Sequence, residues 1–560
     1  MNVILGGGDV GKTSILDAIA MLLHPTNGYP LSDSDYWQRD VDAEFEVEAV
    51  MSLPASTGIH TQNAMAWPWE WDATNNAAAI PIEGDQAGRE PVFKVRVRGS
   101  SDLEVIHELL QPDGSTISMT VGMRRAIGLV RLSGDDRNER DLRLIQGAGL
   151  DRLLNDKSLR GRLSRRFAAQ GVNDDLSEAA QASLIALDET FGKRSLPTDL
   201  GIGFVGGNGL SINALVGLTS NRNGVALPLS SWGSGTRRMA ALTIADTLQD
   251  KQPISVIDEI ERGLEPYRQR RLVSAIKDKG TQIFLTTHSA TVLSAATGAA
   301  LWYVDAQGRI GRLPTDKVGR HQASDPETFL ARLAVVAEGI TEVGFVSSLF
   351  KKYVAENWED LGIHVTDGKG NDHVLKILEA LSSGNLTFAG FADNEGRDPG
   401  KWQAVHDRLN GLMFRWPNGC LEEHFIPLVE HAKLLDLITD PENELTSVRL
   451  RTLADRLKIA DNSFETIVAK AAADGISLHA LIVQAATGKV PAEFAEAAAA
   501  VRKPFAGHSK QWFKSYSGGQ ELAAKMHTLG VWVQVRGILL PFLNAIRTQS
   551  EMGPLPDDAA

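Results

Sequence analysis

A chain of 560 residues is several domains long at roughly 150 residues each, which excludes a single small binding module. Hydrophobic residues at 43% and charged residues at 23% exclude wholesale disorder, because enough apolar side chains are present to build cores. The net charge of −13, from 57 Lys and Arg against 70 Asp and Glu, excludes a generic polycation, so contact with nucleic acid has to come from local basic patches.

In chain order, the first element predicted is a strand at Val3 to Leu5, followed by a glycine turn from Gly6 to Gly11 and an amphipathic helix with Ile15, Leu16, Ile19, Leu22 and Leu23 on its apolar side. The turn reads GGGDVGKT and fits the P-loop pattern in full. Its backbone amides curl around a phosphate, Lys12 neutralises the β and γ charge, and Thr13 offers a hydroxyl to Mg²⁺. Gly6, Gly11, Lys12, Thr13 and Ser14 are therefore the expected nucleotide-binding residues. The start MNVILGGGDVGK lacks the cationic region and small-residue cleavage site of a signal peptide. A cytoplasmic protein is expected.

From Ala43, alternation in EFEVEAVMSL, PVFKVRVRG and DLEVIHELL predicts an antiparallel sheet appended to the nucleotide core. Trp67, Trp69 and Trp71 fall in a polar loop between these strands. Their spacing permits base stacking, but Pro68 and the boundary position favour packing or a plain loop. Between about Asp135 and Leu196 the pattern is helical, and Arg160, Arg162, Arg165 and Arg166 form a cationic cluster, either a solvated face or a contact for DNA or a second subunit.

Short, nearly continuous apolar runs at PISVIDEI and TQIFLTTH predict parallel strands. The first delivers Asp258 and Glu259 to its carboxyl end, where Asp258 is suited to the Mg²⁺ water shell and Glu259 to polarising the attacking water. Before it, LPLSSWGSGTRRMAAL places Ser230, Ser231, Gly233 and Gly235 ahead of a helix, presenting bare amides at a helix start. The run from Ile283 is the most apolar of the chain, but His288 and several hydroxyl residues interrupt it. No membrane span or membrane partner is expected.

Residues 313–326 read as a linker. A second α/β pattern follows: strand and turn at ARLAVVAEG, helix at EVGFVSSLFKKYV, strand at IHVTDGKG, helix at VLKILEALSS and strand at LTFAGFADNEG. Glu338 ends one strand with Glu342 a helical turn beyond, and Asp393 and Glu395 end another. Carboxylates converging at strand ends repel unless a hard cation neutralises them, which makes Mg²⁺ or Mn²⁺ the expected partner. From Val429 to Arg502 the chain is Ala- and Leu-rich and helical, and it ends in a soluble tail. Cys420, the single cysteine, can form neither an internal disulfide nor a cysteine-based zinc site and reads as a small buried hydrophobe.

The first half resembles the ABC-type ATPases of the SMC kind. The P-loop, the SSWGSGT segment as signature loop, Asp258 and Glu259, the loop 261–266 and the switch Thr287-His288-Ser289 occur in that family's order. The resemblance implies ATP sandwiched between two heads, with Ser231, Gly233 and Gly235 completing the opposite subunit's site and His288 sensing the γ-phosphate. Gln38 is a candidate metal-contacting glutamine or an ordinary loop residue. Such heads carry a strand and an arm before the P-loop strand; here either the start is shortened or another segment meets the adenine.

Glu338-Gly339 followed by Asp393-x-Glu395 looks like a TOPRIM domain, with Glu395 standing where the family has an aspartate. An ABC-type ATPase followed by TOPRIM resembles the OLD (overcoming lysogenization defect) family of ATP-dependent endonucleases. That resemblance implies an α/β fold: an ATPase head formed by 1–134 and 201–325, a helical, dimerising insertion at 135–200, a TOPRIM nuclease domain at 326–428 and a helical part at 429–560 that completes it. It also implies a further acid and a lysine from the C-terminal part: Glu422, or its neighbour Glu423, and Lys514, or Lys510. Glu259 would serve ATP hydrolysis. Glu338, Glu342, Asp393, Glu395 and Glu422 would hold two metals for phosphodiester cleavage while Lys514 neutralises the phosphate. ATP, Mg²⁺ or Mn²⁺, DNA, a homodimer or higher homo-oligomer through the ATPase heads, and possibly a helicase are the implied cofactors and partners, in a setting of phage defence. The alternative is an SMC- or RecF-like DNA-binding repair or clamp ATPase whose TOPRIM acids are not catalytic.

Overall fold

The computed structural model describes all residues except 28, 30, 54–56, 60–65, 82–89, 133–139, 146–147, 157–158, 160–161, 163–175, 205–215, 248–253, 278–281, 383, 385, 441, 443, 557 and 559–560. The chain forms two compact units, one comprising Met1–Leu5 and Gly11–Leu301, the other Gly6–Val10 and Trp302–Ala560. Both are α/β.

In the first unit, the apolar strand Asn2–Gly6 pairs in parallel with Ile283–Thr286, which pairs in parallel with Ile254–Ile257, which in turn pairs in parallel with Leu129–Leu132. Ile254–Ile257 is buried throughout, and Val3, Leu5, Val256 and Leu285 are almost fully buried, as strands covered on both faces require. The parallel register brings the carboxyl ends of these strands, and with them Asp258, Thr286 and the helix Lys12–Leu22, to one edge of the sheet. The expected antiparallel sheet is present. Pro91–Gly99 pairs with Phe45–Met51 on one side and Val105–Leu110 on the other. Trp69 and Trp71 belong to a strand, Trp69–Asp72, rather than a loop; the Trp69 indole donates to the Leu110 carbonyl at 2.8 Å and lies under the Lys94 ammonium. Of the predicted arginine cluster, Arg160, Arg165 and Arg166 lie outside the described residues, and Arg162 forms an ion pair with Asp156 at 2.6 Å.

The second unit is built on a four-stranded parallel sheet in the order Ile363–Asp367, Leu333–Ala337, Phe388–Ala392, Met413–Arg415. Residues 313–326 are not a bare linker. They contain the helix Thr315–Ser324, with Val318, His321 and Gln322 buried, followed by Asp325, whose carboxylate meets the His364 ring at 3.0 Å. Nor is the C-terminus a tail. Helices Tyr516–Thr528 and Trp532–Gln549 insert Leu522, Met526, Leu539, Phe542, Leu543 and Ile546 into the same core as Phe345, Phe350 and Phe391. Leu, Phe and Ile recurring every three or four residues drive this burial. Among the described residues no single helix is long and apolar enough to cross a membrane; the bent pair Phe464–Ala473 and Leu478–Thr487 reaches that composition only together, and it gives Ile467, Leu481 and Ile482 to the core.

Two close backbone approaches position the C-terminal helices. A Cβ on Gly519 would lie 1.9 Å from the Thr341 carbonyl oxygen, and one on Gly344 would lie 2.0 Å from that of Tyr516. Helices Ile340–Tyr353 and Tyr516–Thr528 therefore touch backbone to backbone, which only glycine permits. The Thr341 hydroxyl donates to the Phe513 carbonyl at 3.0 Å, and the Arg449 guanidinium, paired with both Glu521 oxygens at 2.7 Å, packs over the Phe513 ring. Phe513 is fixed from two sides. Lys514 follows it directly.

Candidate functional site

Two clusters of polar side chains stand at strand ends, one in each unit. In the first, Gly11 caps the helix Lys12–Leu22 with φ +93°, Lys12 is buried, and Thr13 and Ser14 are exposed on the first helical turn. The Thr13 hydroxyl donates to Asp258 Oδ2 at 3.1 Å, so the P-loop helix and the acidic strand end meet at the two groups expected to share an ion. The Thr286 hydroxyl donates to Asp258 Oδ1 and accepts the Glu259 N–H at 2.9 Å. Glu259 itself has φ +46°, a left-handed conformation that a side chain disfavours, and its carboxylate lies 3.5 Å from Arg262.

Around these acids the switch and signature segments close in. Glu261 accepts the Thr287 hydroxyl and the His288 N–H, both at 2.7 Å, while the His288 residue is exposed. Ser231 is exposed and its hydroxyl is turned back on the Pro228 carbonyl at 2.7 Å; Gly233 is open on its Cβ side. Gly235 is in close backbone contact with the loop that follows the acids, since a Cβ there would lie 2.1 Å from the Gly263 carbonyl oxygen. Arg238, buried on the same helix, Ser234–Thr247, donates to the Asp258 carbonyl. Gln38 sits in an exposed turn with φ +53°.

In the second unit, Glu338 and Asp393 end adjacent parallel strands. Asp393 (7% exposed), Glu342 (4%) and Glu422 (0%) are buried, and Glu338 is half-buried. Glu338 Oε2 accepts from the Asn371 amide and from the Asp393 N–H, each at 2.8 Å, and the same amide donates to the Asp393 carbonyl at 3.0 Å. Asp393 Oδ1 accepts the Leu421 N–H at 3.3 Å. Lys514 reaches Glu422 Oε1 at 2.7 Å, yet neither Glu422 oxygen accepts a well-formed hydrogen bond. Burial pushes the Glu338, Glu342 and Asp393 carboxyls above their ordinary range, and for Asp393 the neighbouring charges of Glu342, Glu338 and Glu422 add to it. Burial alone would depress the Lys514 ammonium; Glu422 and Glu342 reverse this and raise it.

Four carboxyl groups thus gather near one ammonium, which pairs with Glu422. The donor set is all oxygen, with four carboxyl groups against the one ammonium of Lys514, and the second buried oxygen of Glu422 has no hydrogen-bond partner, which suits a hard divalent cation. Among the described residues no three His, Cys, Asp or Glu side chains already stand as a formed metal site.

Residues 123–294 match the AAA_21 model, an AAA domain, and residues 329–394 match the Overcoming lysogenization defect protein-like TOPRIM domain model. The chain joins an AAA-type ATPase domain to an OLD-like TOPRIM domain. The solved structures similar to it include an Smc head bound to the C-winged helix domain of ScpA (17% identity, covering 56% of this chain and 89% of that one, TM-score 0.34). Others are the recombination mediator RecF with a bound ATP analogue (15%, 56% and 91%, TM-score 0.32) and the SMC head domain from Thermotoga maritima (14%, 56% and 89%, TM-score 0.26). None of the curated proteins matches the chain.

The TOPRIM match contains Glu338, Glu342 and Asp393, and it ends just before Glu395. Glu395 does not join the buried acids. It is exposed and lies 3.5 Å from Arg397, because the chain turns outward after Asp393 toward the exposed turn at Gly396. Of the C-terminal alternatives, Glu423 faces Lys489 and the Cys420 N–H, and Lys510 is exposed, whereas Glu422 and Lys514 face each other. Cys420 is only partly buried, and burial followed by the nearby Glu422 and Asp393 charges raises its thiol pKa. Sequence reasoning missed Asn371 in the TOPRIM domain and Glu261 in the ATPase domain. The only sequence cue was position: Asn371 follows the DGKG turn, and Glu261 lies two residues beyond the predicted water-polarising acid.

Proposed function

We propose that this chain is an ATP-binding and hydrolysing, metal-dependent DNA endonuclease that works as a homodimer or higher homo-oligomer through its ATPase heads. The observation that carries the reading is the gathering of Glu338, Glu342, Asp393 and Glu422, the last three buried, near Lys514, because carboxyls this deep are costly to ionise unless a cation is bound. Glu338, Glu342, Asp393 and Glu422 would hold that cation, and Glu395 would have to swing inward to contribute. A bound divalent ion supplies water activation and neutralises charge on a phosphodiester.

The remaining work belongs to the chain. Asn371 and the Asp393 N–H hold one oxygen of Glu338, leaving the other to point toward ligand. Lys514, released from Glu422, is a positive charge at the place where a pentavalent phosphate gains negative charge. In the ATPase domain, Lys12 and the P-loop amides bind the triphosphate, Asp258 and Thr13 face the Mg²⁺ position, and Glu259, freed from Arg262, polarises water.

Two variants separate the activities. Lys12→Ala is expected to abolish ATP turnover, and Asp393→Ala to abolish Mn²⁺- or Mg²⁺-dependent cutting while ATPase persists. Undiminished turnover in the first or undiminished cutting in the second refutes the corresponding site. ATPase without cutting under either metal favours the clamp reading, which the outward position of Glu395 also supports.

A further inference from the structure

Glu261 is an acid that ATP hydrolysis, as described above, does not use. It stands in the loop that follows Asp258 and Glu259, yet its carboxylate reaches across the sheet edge to the switch segment. Oε2 takes the Thr287 hydroxyl proton and Oε1 takes the His288 N–H, at 2.7 Å each. The Thr287 hydroxyl in turn accepts the Ser289 N–H at 3.0 Å, so its single proton is committed to Glu261 and its direction is fixed. Ser289 continues the chain of contacts, donating to Gln269 Oε1 at 2.6 Å and capping the short helix Ala290–Ala295. One carboxylate therefore holds the side chain of Thr287 and the backbone of His288.

The same loop is pinned from its other end. Leu264 N–H bonds to the Glu261 carbonyl at 2.9 Å and Arg262 N–H to that of Glu259 at 3.0 Å, which makes residues 259–264 one tight turn. Gly263, with φ +71°, lies against the first turn of the helix Ser234–Thr247, where a Cβ on Gly235 would meet its carbonyl oxygen at 2.1 Å and a Cβ on Gly263 would meet Ser234 Oγ at 2.4 Å. Because Gly235 and Gly263 meet backbone to backbone, a shift of that helix displaces the turn. Arg238 on the same helix reaches the Asp258 carbonyl, and the charges of Glu261, Asp258 and Glu259 offset the burial of its guanidinium.

The geometry points to Glu261 as a positioning residue that transmits the placement of the signature-like helix, through Gly263, to Thr287 and His288. This inference rests on the ATPase reading of the first unit and deepens it: His288 is held in register by an acid that itself follows the helix start. The functional consequence is a step on the turnover side. ATP binding depends on the P-loop and is left alone, whereas hydrolysis depends on where the switch is held.

The test compares full-length wild type, Glu261→Ala, Glu261→Gln and the near-isosteric Thr287→Val, with a fluorescent ATP analogue for Kd and phosphate release for kcat. Loss of charge-assisted hydrogen bonds predicts that Glu261→Ala lowers kcat about tenfold or more while Kd stays within about twofold. Glu261→Gln, which can still accept the His288 N–H, recovers part of the rate. Thr287→Val loses less than Glu261→Ala, because the His288 contact remains. Wild-type kcat in Glu261→Ala, or a parallel loss of kcat and affinity, overturns the inference. Should Glu261→Ala not fold, wild-type kcat in Thr287→Val overturns it alone. Lys12→Ala run alongside distinguishes failure of the ATPase reading, since turnover that survives that substitution is not this site's.

Discussion

Burial of Asp393 and Glu342 costs the folded chain directly, because desolvation first and neighbouring acids second raise both carboxyls, Glu342 among those acting on Asp393. A carboxyl whose pKa is higher in the folded chain than in the unfolded one binds its proton more tightly when folded. The stability this gives is fully present below the ordinary carboxylate pKa of about 4 and declines as pH rises through the raised value. Asp393→Asn is therefore expected to stabilise the metal-free protein at pH 8, by roughly 1.4 kcal/mol for each pKa unit relieved, with the advantage shrinking toward pH 4. Urea unfolding with a chelator present, at both pH values, checks it; equal stability at pH 8 contradicts the burial argument. Lys514 acts in the opposite sense. Lys514→Met leaves Glu422 buried beside Glu342 without its ion-pair partner, at a cost on the order of 3 kcal/mol. The double variant with Glu422→Gln should recover most of that loss, and failure to recover would show that the lysine stem, not its charge, does the stabilising.

At the scale of elements, the crossing of helices Ile340–Tyr353 and Tyr516–Thr528 sets where Lys514 stands. Gly519→Ala forces a methyl to within 1.9 Å of a carbonyl oxygen, so the helices must part, with an expected loss of ~1–3 kcal/mol in urea unfolding. A stability unchanged from wild type would mean the crossing has slack. The elements most open to sequence reading were those whose burial follows a simple period: the strand–turn–helix of the P-loop, the apolar strands Ile254–Ile257 and Leu333–Ala337, and the alternating strands Phe45–Met51 and Pro91–Gly99. The helices after residue 513 were legible only in hindsight. SYSGG reads as a loop until Thr341 and Phe345 are brought against it, and Pro541 interrupts the pattern of Trp532–Gln549. Likewise the Pro and Asp residues that made 313–326 read as a linker flank a ten-residue helix. Asn371 and Glu261 were illegible for another reason: their partners lie 33 and about 27 residues away, and such contacts leave no period in the sequence.

For the whole molecule, each unit brings its acids to the carboxyl ends of a parallel sheet, and the two acidic sites differ in how their charge is met. In the ATPase domain, Asp258 is satisfied by two hydroxyls and is only partly buried. In the TOPRIM domain burial raises the Glu338, Glu342 and Asp393 carboxyls, and the neighbouring acids raise Asp393 further. The second site should consequently respond far more to added cation than the first, and Mn²⁺ without nucleotide is expected to raise the melting temperature of wild type but not of Asp393→Ala; equal shifts in both would place the binding elsewhere. The central claim is that the TOPRIM carboxylates cut DNA. Its most direct test is nicking of supercoiled plasmid by the purified chain with Mn²⁺, Mg²⁺ or chelator, each with and without ATP, beside Glu338→Ala and Asp393→Ala. Nicked or linear product is expected from wild type with metal and from neither variant; cutting that persists in both variants, or that never appears with either metal, refutes the assignment of the nuclease site.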